Sequence, residues 1–210
     1  MRGLKYLAAV TAMAGLMTGS AASASASASA SQATGAQGAS AVHLRGGATA
    51  VSTAPGIATA LLKNGIVPLA TWPATQSVLL PKSGPAARFT FPVTGGTVTV
   101  SPLGGKVNHA GGILFLNATN GKTIEVSQFT VDLSHADLTG IVNGNPKARV
   151  ALFRLDLSHA KLAVGKHVIT AKRIGLKLTS AAAKALNAAL GTSLFSAGLK
   201  LGTAQTLLRF

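Results

Sequence analysis

Four carboxylates and five histidines are all that this 210-residue chain offers for acid–base or metal chemistry. The acids are Glu125, Asp132, Asp137 and Asp156, and the histidines are His43, His109, His135, His159 and His167. Two of each occupy equivalent places in a repeated decapeptide. Phe129-Thr-Val-Asp-Leu-Ser-His-Ala-Asp-Leu138 returns as Phe153-Arg-Leu-Asp-Leu-Ser-His-Ala-Lys-Leu162. One reading sets His135 and His159 side by side on neighbouring strands as a ligand pair, with His109 as a third candidate ligand-binding residue. The other makes Asp132, Ser134, Asp156 and Ser158 structural, because Asp and Ser side chains bond backbone groups in turns.

Most catalytic classes lack their parts. With no cysteine there is no thiolate nucleophile or thiolate metal site. A Ser-His-Asp hydrolase needs groups converged by the fold. Here Ser134–His135 and Ser158–His159 are merely adjacent, and no G-x-S-x-G elbow occurs. A glycosidase needs two free carboxylates. Neither a Walker A nor a Rossmann fingerprint is present, nor an H-E-x-x-H pair. The chain is expected to be no enzyme, with no catalytic residues, no metal site and no obligate cofactor.

The elements that position these residues follow from periodicity. Phe129, Val131 and Leu133 fall on alternate positions, as do Phe153, Leu155 and Leu157, the period of a strand with one buried face. Two copies are too few for a solenoid, which leaves two similar strands of one sheet system. Arg88–Val93, Thr97–Val100, Lys106–His109, Ile113–Leu116, Lys122–Val126, Arg149–Leu155 and Arg173–Leu178 read as further strands. The glycine pairs at 95–96, 104–105 and 111–112 read as turns, and Asn120-Gly121 as a hairpin signal. Pro92 marks an edge or a bulge. In the last of these strands Arg173 and Lys177 share one face as a basic patch. Helices are expected after Pro55 and at Ser180–Leu190, the second with Thr179 as N-cap and Gly191 as stop. Trp72, the single tryptophan, is expected to plug the core. The predicted fold is all-β, an antiparallel sandwich or barrel with two short helices.

The N-terminus has the layout of an export signal: Arg2 and Lys5, an apolar run from Tyr6 to Met17, then small-residue cleavage options. Residues 1–28 are expected to be a secretory signal peptide, 29–53 a disordered Ala/Ser/Gly linker and 54–210 a single β-rich domain. No other run is long and apolar enough to span a bilayer. The protein is therefore expected outside the cell, in association with the wall. Removing Arg2 and Lys5 from the formal charge of +15 leaves +13. That imbalance favours an anionic cell-envelope polymer or lipid headgroups as partner. Export and the scarcity of stacking aromatics argue against nucleic acid. A haem or metal binder using His109, His135 and His159 is the alternative, and a purely structural module the third. The oligomeric state is open.

Three stretches carry a resemblance: His109-Ala-Gly-Gly-Ile-Leu-Phe-Leu116, the Phe-x-x-Asp-Leu segments, and Leu178 to Thr192. In these, over most of residues 57–206, the chain resembles secreted β-rich actinobacterial proteins of the Streptomyces type, of unassigned function. It is also distantly similar to the HtaA-type haem-binding domain. There a Gly-His-x-Gly-x-Leu strand leads into a β-rich region, and a tyrosine and a histidine serve the haem. The similarity implies haem binding. With no tyrosine beyond Tyr6, the haem would rest on His109 or another histidine.

Overall fold

The structure is a computed structural model describing residues 41–82 and 84–210. The expected signal peptide and residues 29–40 of the expected linker lie outside the described residues. The first elements are β1 (Val42–His43), β2 (Gly46–Thr53), α1 (Ile57–Lys63), β3 (Ile66–Thr71) and β4 (Thr75–Leu79). There follow β5 (Ala86–Val100), β6 (Leu103–His109), β7 (Gly112–Asn117), β8 (Thr123–Asp132) and β9 (Asp137–Val142). The chain ends with β10 (Asn145–Asp156), β11 (Lys161–Val164), β12 (Val168–Leu178), α2 (Ser180–Leu190) and β13 (Lys200–Arg209).

Of the two all-β forms, the chain adopts the barrel. Eight strands close on themselves in the order β5–β2–β13–β12–β10–β9–β8–β6 and back to β5, every pair antiparallel. Closure leaves no unpaired edge in the ring. The remaining strands are additions: β7 continues along the edge of β8 beyond β6, β3 pairs with β7, β4 and β1 pair with β5, and β11 pairs with β12.

Two sequence expectations about the ring are corrected. Residues 46–53 are not linker but the stave β2, hydrogen-bonded between β5 and β13. Their small side chains hid a strand whose inward positions are Thr49, Val51 and Thr53. The domain therefore starts before residue 54. Nor do the glycine pairs at 95–96 and 104–105 turn the chain. β5 runs through the first pair as one strand of 15 residues, and the turn falls at Ser101-Pro102. At Gly96 (φ +130°) a Cβ would stand 2.0 Å from the Lys106 carbonyl oxygen. Only glycine admits that approach of two backbones. Pro92 sits where β5 passes from β4 to β6, and the register slips just beyond it, between Val93 and Gly95. A residue without an N–H is tolerated at such a gap.

One end of the barrel is closed by α2. Its boundaries follow the caps: Thr179 Oγ1 accepts from the Ala182 N–H at 3.0 Å, and Gly191 ends it in the left-handed region at φ 63°. Ala182, Ala183, Leu186 and Leu190 face inward. They join Phe129, Leu152 and Leu178 in the largest core cluster. Phe91 and Phe129 meet there edge to face, with centroids 5.0 Å apart. Burial of Leu190, fully enclosed, contributes about 1.5–3 kcal/mol before cavity effects. Smaller clusters around Val98, Val107 and Leu208, and around Leu155, Leu176 and Ala204, continue the apolar lining along the barrel.

Trp72 contradicts the core expectation outright, with 90 % of its surface exposed. It follows directly on β3, an added strand outside the ring, at the point where the chain turns toward β4. No inward stave position is there for it.

Candidate functional site

The barrel interior keeps a cavity of about 290 Å³. Its walls are inward positions of the staves, with apolar side chains almost throughout. It runs from Ile57 and Leu61 of α1, past Phe91 and Phe129, to Leu103, Leu133, Leu157 and Leu162 at the other end. Leu103 and Leu162 there are 39 % and 47 % exposed, so that end is a mouth with an apolar rim.

His109 supplies the strongest polar group of the wall. It is the last residue of β6 and only 6 % exposed. Beyond it Gly111 (φ +81°) carries the chain out of the ring toward β7; a Cβ there would strike Ala74 at 2.5 Å. His109 Nε2 lies 2.8 Å from Thr49 Oγ1. Thr49 in turn donates to Thr206 Oγ1 at 2.8 Å, and Thr206 donates to the Ala48 carbonyl at 3.4 Å. One hydroxyl has one proton. If Thr49 gives its proton to Thr206, it must receive the Nε2 proton of His109. In that direction the hydroxyl chain places the proton on Nε2, and in the reverse direction on Nδ1; in both, Nδ1 is the ring nitrogen that Thr49 does not engage. Nδ1 is buried and has no hydrogen-bond partner among the described residues. Burial pushes the His109 pKa down to about 4, against the partial pull of the Phe129 and Val107 carbonyls. The ring is therefore a neutral imidazole at neutral pH, with a free nitrogen.

The other sequence candidates lie elsewhere. The two repeat copies end in two turns, one in the β8–β9 hairpin and one between β10 and β11, which pairs with β12. Asp132 Oδ1 accepts from the Ser134 and His135 N–H groups at 3.0 and 3.2 Å. Asp156 Oδ1 accepts from the Ser158 N–H at 3.1 Å and from its hydroxyl at 2.6 Å. These are side-chain-capped turns. His135 is exposed, its Nδ1 3.1 Å from Asp132 Oδ1, and His159 is exposed on the second turn. Neither joins His109 in the wall of the cavity, and no three His, Cys, Asp or Glu side chains converge to hold a metal among the described residues. What the repeat does give the cavity is its apolar positions, among them Phe129 and Phe153 in the wall and Leu133 and Leu157, which follow each aspartate, toward the rim.

The turn carboxylates are held in their charged form. Desolvation opposes this at Asp132, but hydrogen bonds from His135 and Ser134 outweigh it and lower its pKa. At Asp156 the Ser158 hydroxyl, then Lys177, take it well below the carboxylate range. Lys177 Nζ is 2.9 Å from Asp156 Oδ2. It stands in register between Arg154 of β10 and Lys200 of β13, a basic row across three staves. Arg154 Nη1 is 2.9 Å from Asp137 Oδ1, a Coulombic contact whose angles fall outside those of a hydrogen bond. Arg173, expected to share a face with Lys177, is exposed as Lys177 is. It has φ 62° at a bulge in β12, so Lys172 and Arg173 are both exposed.

A second, open cleft of about 540 Å³ lies outside the ring. His109 and Phe129 line both spaces and so form the partition between them. Trp72 stands at this cleft, with Glu125, Gln128 and Arg149 among its polar walls. The sequence does not show Thr49 and Thr206 as partners of His109, and it points Trp72 to the core and not to this cleft. The alternation Thr49, Val51, Thr53 signals a strand, but not the meeting of Thr49 with His109.

The folded chain is similar to a solved structure. The crystal structure of the C-terminal domain of HtaA from Corynebacterium glutamicum superimposes with a TM-score of 0.54 at 14 % identity, covering 80 % of this chain and 98 % of that one. A domain-swapped dimer of a histidine-to-alanine variant of the same domain aligns at 0.48 and 14 % identity, over 74 % and 91 % of the two chains, too loosely to add to the argument. At this identity the likeness establishes the fold, an HtaA-like barrel. No family model matches the sequence, and no curated protein matches it.

Proposed function

We propose that the protein is an exported, non-enzymatic binding module of the haem-binding HtaA type, which takes an apolar ligand into the barrel beside His109. The observation that carries this reading is the neutral, buried imidazole whose Nδ1 has no partner among the described residues, in a wall that is apolar but for His109 and three threonines. An unpaired buried acceptor costs about 1–3 kcal/mol, and a ligand that uses it removes that cost. The residues fit haem to this extent: His109 offers a nitrogen, and Phe91, Phe129 and the rim leucines offer apolar contact. Haem, when bound, supplies an iron centre that accepts such a nitrogen. Titration of the mature domain with haem tests the reading. A saturable Soret band that His109→Ala loses, while its far-UV spectrum stays that of the parent, supports it. No band at any haem ratio overturns the haem form.

A second reading rests on the shape of the cavity. Its lining extends from α1 to the leucine rim, while its volume is near the lower end for ligand pockets, ~300–1,000 Å³. A long, narrow apolar channel suits an acyl chain. The basic row Arg154, Lys177 and Lys200 and the net charge of the exported chain favour an anionic headgroup or envelope polymer outside it. A fluorescent fatty acid that is bound and then displaced by unlabelled fatty acid, in a protein that gives no Soret band, would decide for this reading.

A further inference from the structure

We propose that the open cleft beside Trp72 is a saccharide-binding site, separate from the barrel interior. Tryptophan is a residue that proteins bury or hold at interfaces. Here the single tryptophan is 90 % exposed. The walls of the cleft beside it carry Thr71, Asn108, Glu125, Ser127, Gln128 and Arg149, an assembly of hydroxyl, amide, carboxylate and guanidinium groups.

Those groups are already held in place. Glu125 Oε1 accepts from the Thr71 hydroxyl at 2.9 Å, which fixes the carboxylate beside the residue that precedes Trp72. Arg149 Nη1 donates to the Gln128 carbonyl at 3.0 Å and lies 3.2 Å from Thr139 Oγ1 and 3.4 Å from Thr130 Oγ1. Its remaining N–H groups are left to an incoming ligand. Thr130 Oγ1 donates to Asn108 Oδ1 at 3.1 Å, and the Asn108 amide N–H groups in the cleft have no partner among the described residues. Gln128 adopts φ 50° at the slip in the β8–β9 register, so the strand opens here and the floor of the cleft is polar.

A flat apolar face beside fixed donors and acceptors matches a pyranose ring. The ring presents C–H groups on one face, which pack on indole, and hydroxyls around its edge, which pair with carboxylate, amide and guanidinium groups. An acyl chain has no use for the polar wall. A nucleobase would stack on Trp72 but would set its phosphates beside Glu125. The volume of about 540 Å³ admits one or two sugar rings and leaves the cleft open for a longer glycan to continue.

Because Trp72 is the only tryptophan, its emission reports on the site alone. The mature protein is titrated with chitooligosaccharides and with oligogalacturonates, which present neutral and acidic pyranose rings. A saturable blue shift is expected with at least one of them. Retention on the matching insoluble polysaccharide is expected to fall about tenfold or more in Trp72→Ala and to be largely kept in Trp72→Phe, since removal of a stacked aromatic costs on the order of one decade in affinity. Neither variant touches a buried residue, so both are expected to melt with the parent. No shift with either oligosaccharide, or retention that Trp72→Ala leaves unchanged, overturns the proposal. Retention lost only on raising the salt, and insensitive to Trp72, assigns it to the basic surface and overturns the proposal equally. Haem titration of Trp72→Ala is expected to match the parent, which keeps this test separate from the barrel reading.

Discussion

His109 Nε2 and Thr49 Oγ1 lie 2.8 Å apart although 60 positions separate them in the chain. The contact ties the end of β6 to β2 across the inside of the ring, over the intervening stave β5. It also leaves Nδ1 as the ring nitrogen without a hydrogen-bond partner among the described residues.

Stability should fall on mild acidification because of this residue. An unfolded histidine titrates near 6.5, whereas His109 in the fold is pushed down to about 4. As pH falls through that window the unfolded chain takes up a proton that the folded chain refuses. The contribution is thus complete above about 6.5 and lost by about 4. At about 1.36 kcal/mol per unit the loss is on the order of 3 kcal/mol. Urea unfolding at pH 7 and pH 4.5 should show it, and His109→Gln should flatten the difference. Equal pH slopes in parent and variant would count against the burial of a neutral imidazole.

A chain that begins at residue 54 should not fold. It lacks β2, which pairs with β13 over eight register positions and with β5 over five, so the ring would be left open with two exposed edges. A chain that begins at residue 41 should show a cooperative melt. Circular dichroism of the two distinguishes them. If both melt alike, β2 is dispensable and the closed barrel is not what holds the fold.

The contrast between β2 and α2 shows what the sequence makes legible. α2 is bounded by local chemistry, Thr179 before it and Gly191 after it, and its observed limits are Ser180 and Leu190. The repeat strands are legible for a similar reason, since large side chains alternate along them. β2 is held by partners far along the chain, and its alanines, threonines and glycines are those of a linker. The glycines at 95–96 look like a turn because close approach of strands β5 and β6 needs the same residue as a turn does. His109 could be named as a ligand candidate from its type alone. Its partners Thr49 and Thr206 could not, because their meeting depends on closure of the ring.

Asn117 should matter for stability more than a residue in a hairpin end usually does. It is 3 % exposed, and its Nδ2 donates to the Leu190 carbonyl at 2.8 Å, at the last residue of α2. Its Oδ1 accepts from the Thr119 N–H at 3.0 Å. Asn117→Ala leaves the Thr119 N–H without its acceptor and the Leu190 carbonyl with Asn120 alone, and should cost about 1–3 kcal/mol. Asn120→Ala, whose Nδ2 bonds the same carbonyl from a more exposed place at 3.0 Å, should cost less. Chemical denaturation of both gives the order.

The two capped turns predict a difference between amide and alanine variants. Asp156→Asn keeps an oxygen to accept from Ser158, while Asp156→Ala loses it. The alanine variant should melt lower at neutral pH. The native carboxyl titrates below its ordinary value, so its stabilisation is present above the unfolded pKa and disappears as pH falls through the folded one. The asparagine variant should lack that acid-side loss. Thermal melts at pH 7 and at strongly acid pH would show it, and equal melting of the alanine and asparagine variants at neutral pH would remove the capping role.

Filling the barrel should separate ligand uptake from folding. Ala204 on β13 is 7 % exposed and lines the cavity in one cluster with Leu176 and Leu155. A phenylalanine there occupies space that is empty in a cavity of about 290 Å³. Overpacking costs about 1–3 kcal/mol where no room exists and less where it does. Ala204→Phe should therefore melt within a few degrees of the parent, by the scaling of about 2–4 °C per kcal/mol for a domain of this size. It should nevertheless lose binding of haem and of a fluorescent fatty acid, because both would need the same volume. Retention on polysaccharide through the Trp72 cleft should persist. If Ala204→Phe folds and still takes up haem or fatty acid with the affinity of the parent, the ligand does not enter the barrel, and the cavity is an imperfection of packing and not a site.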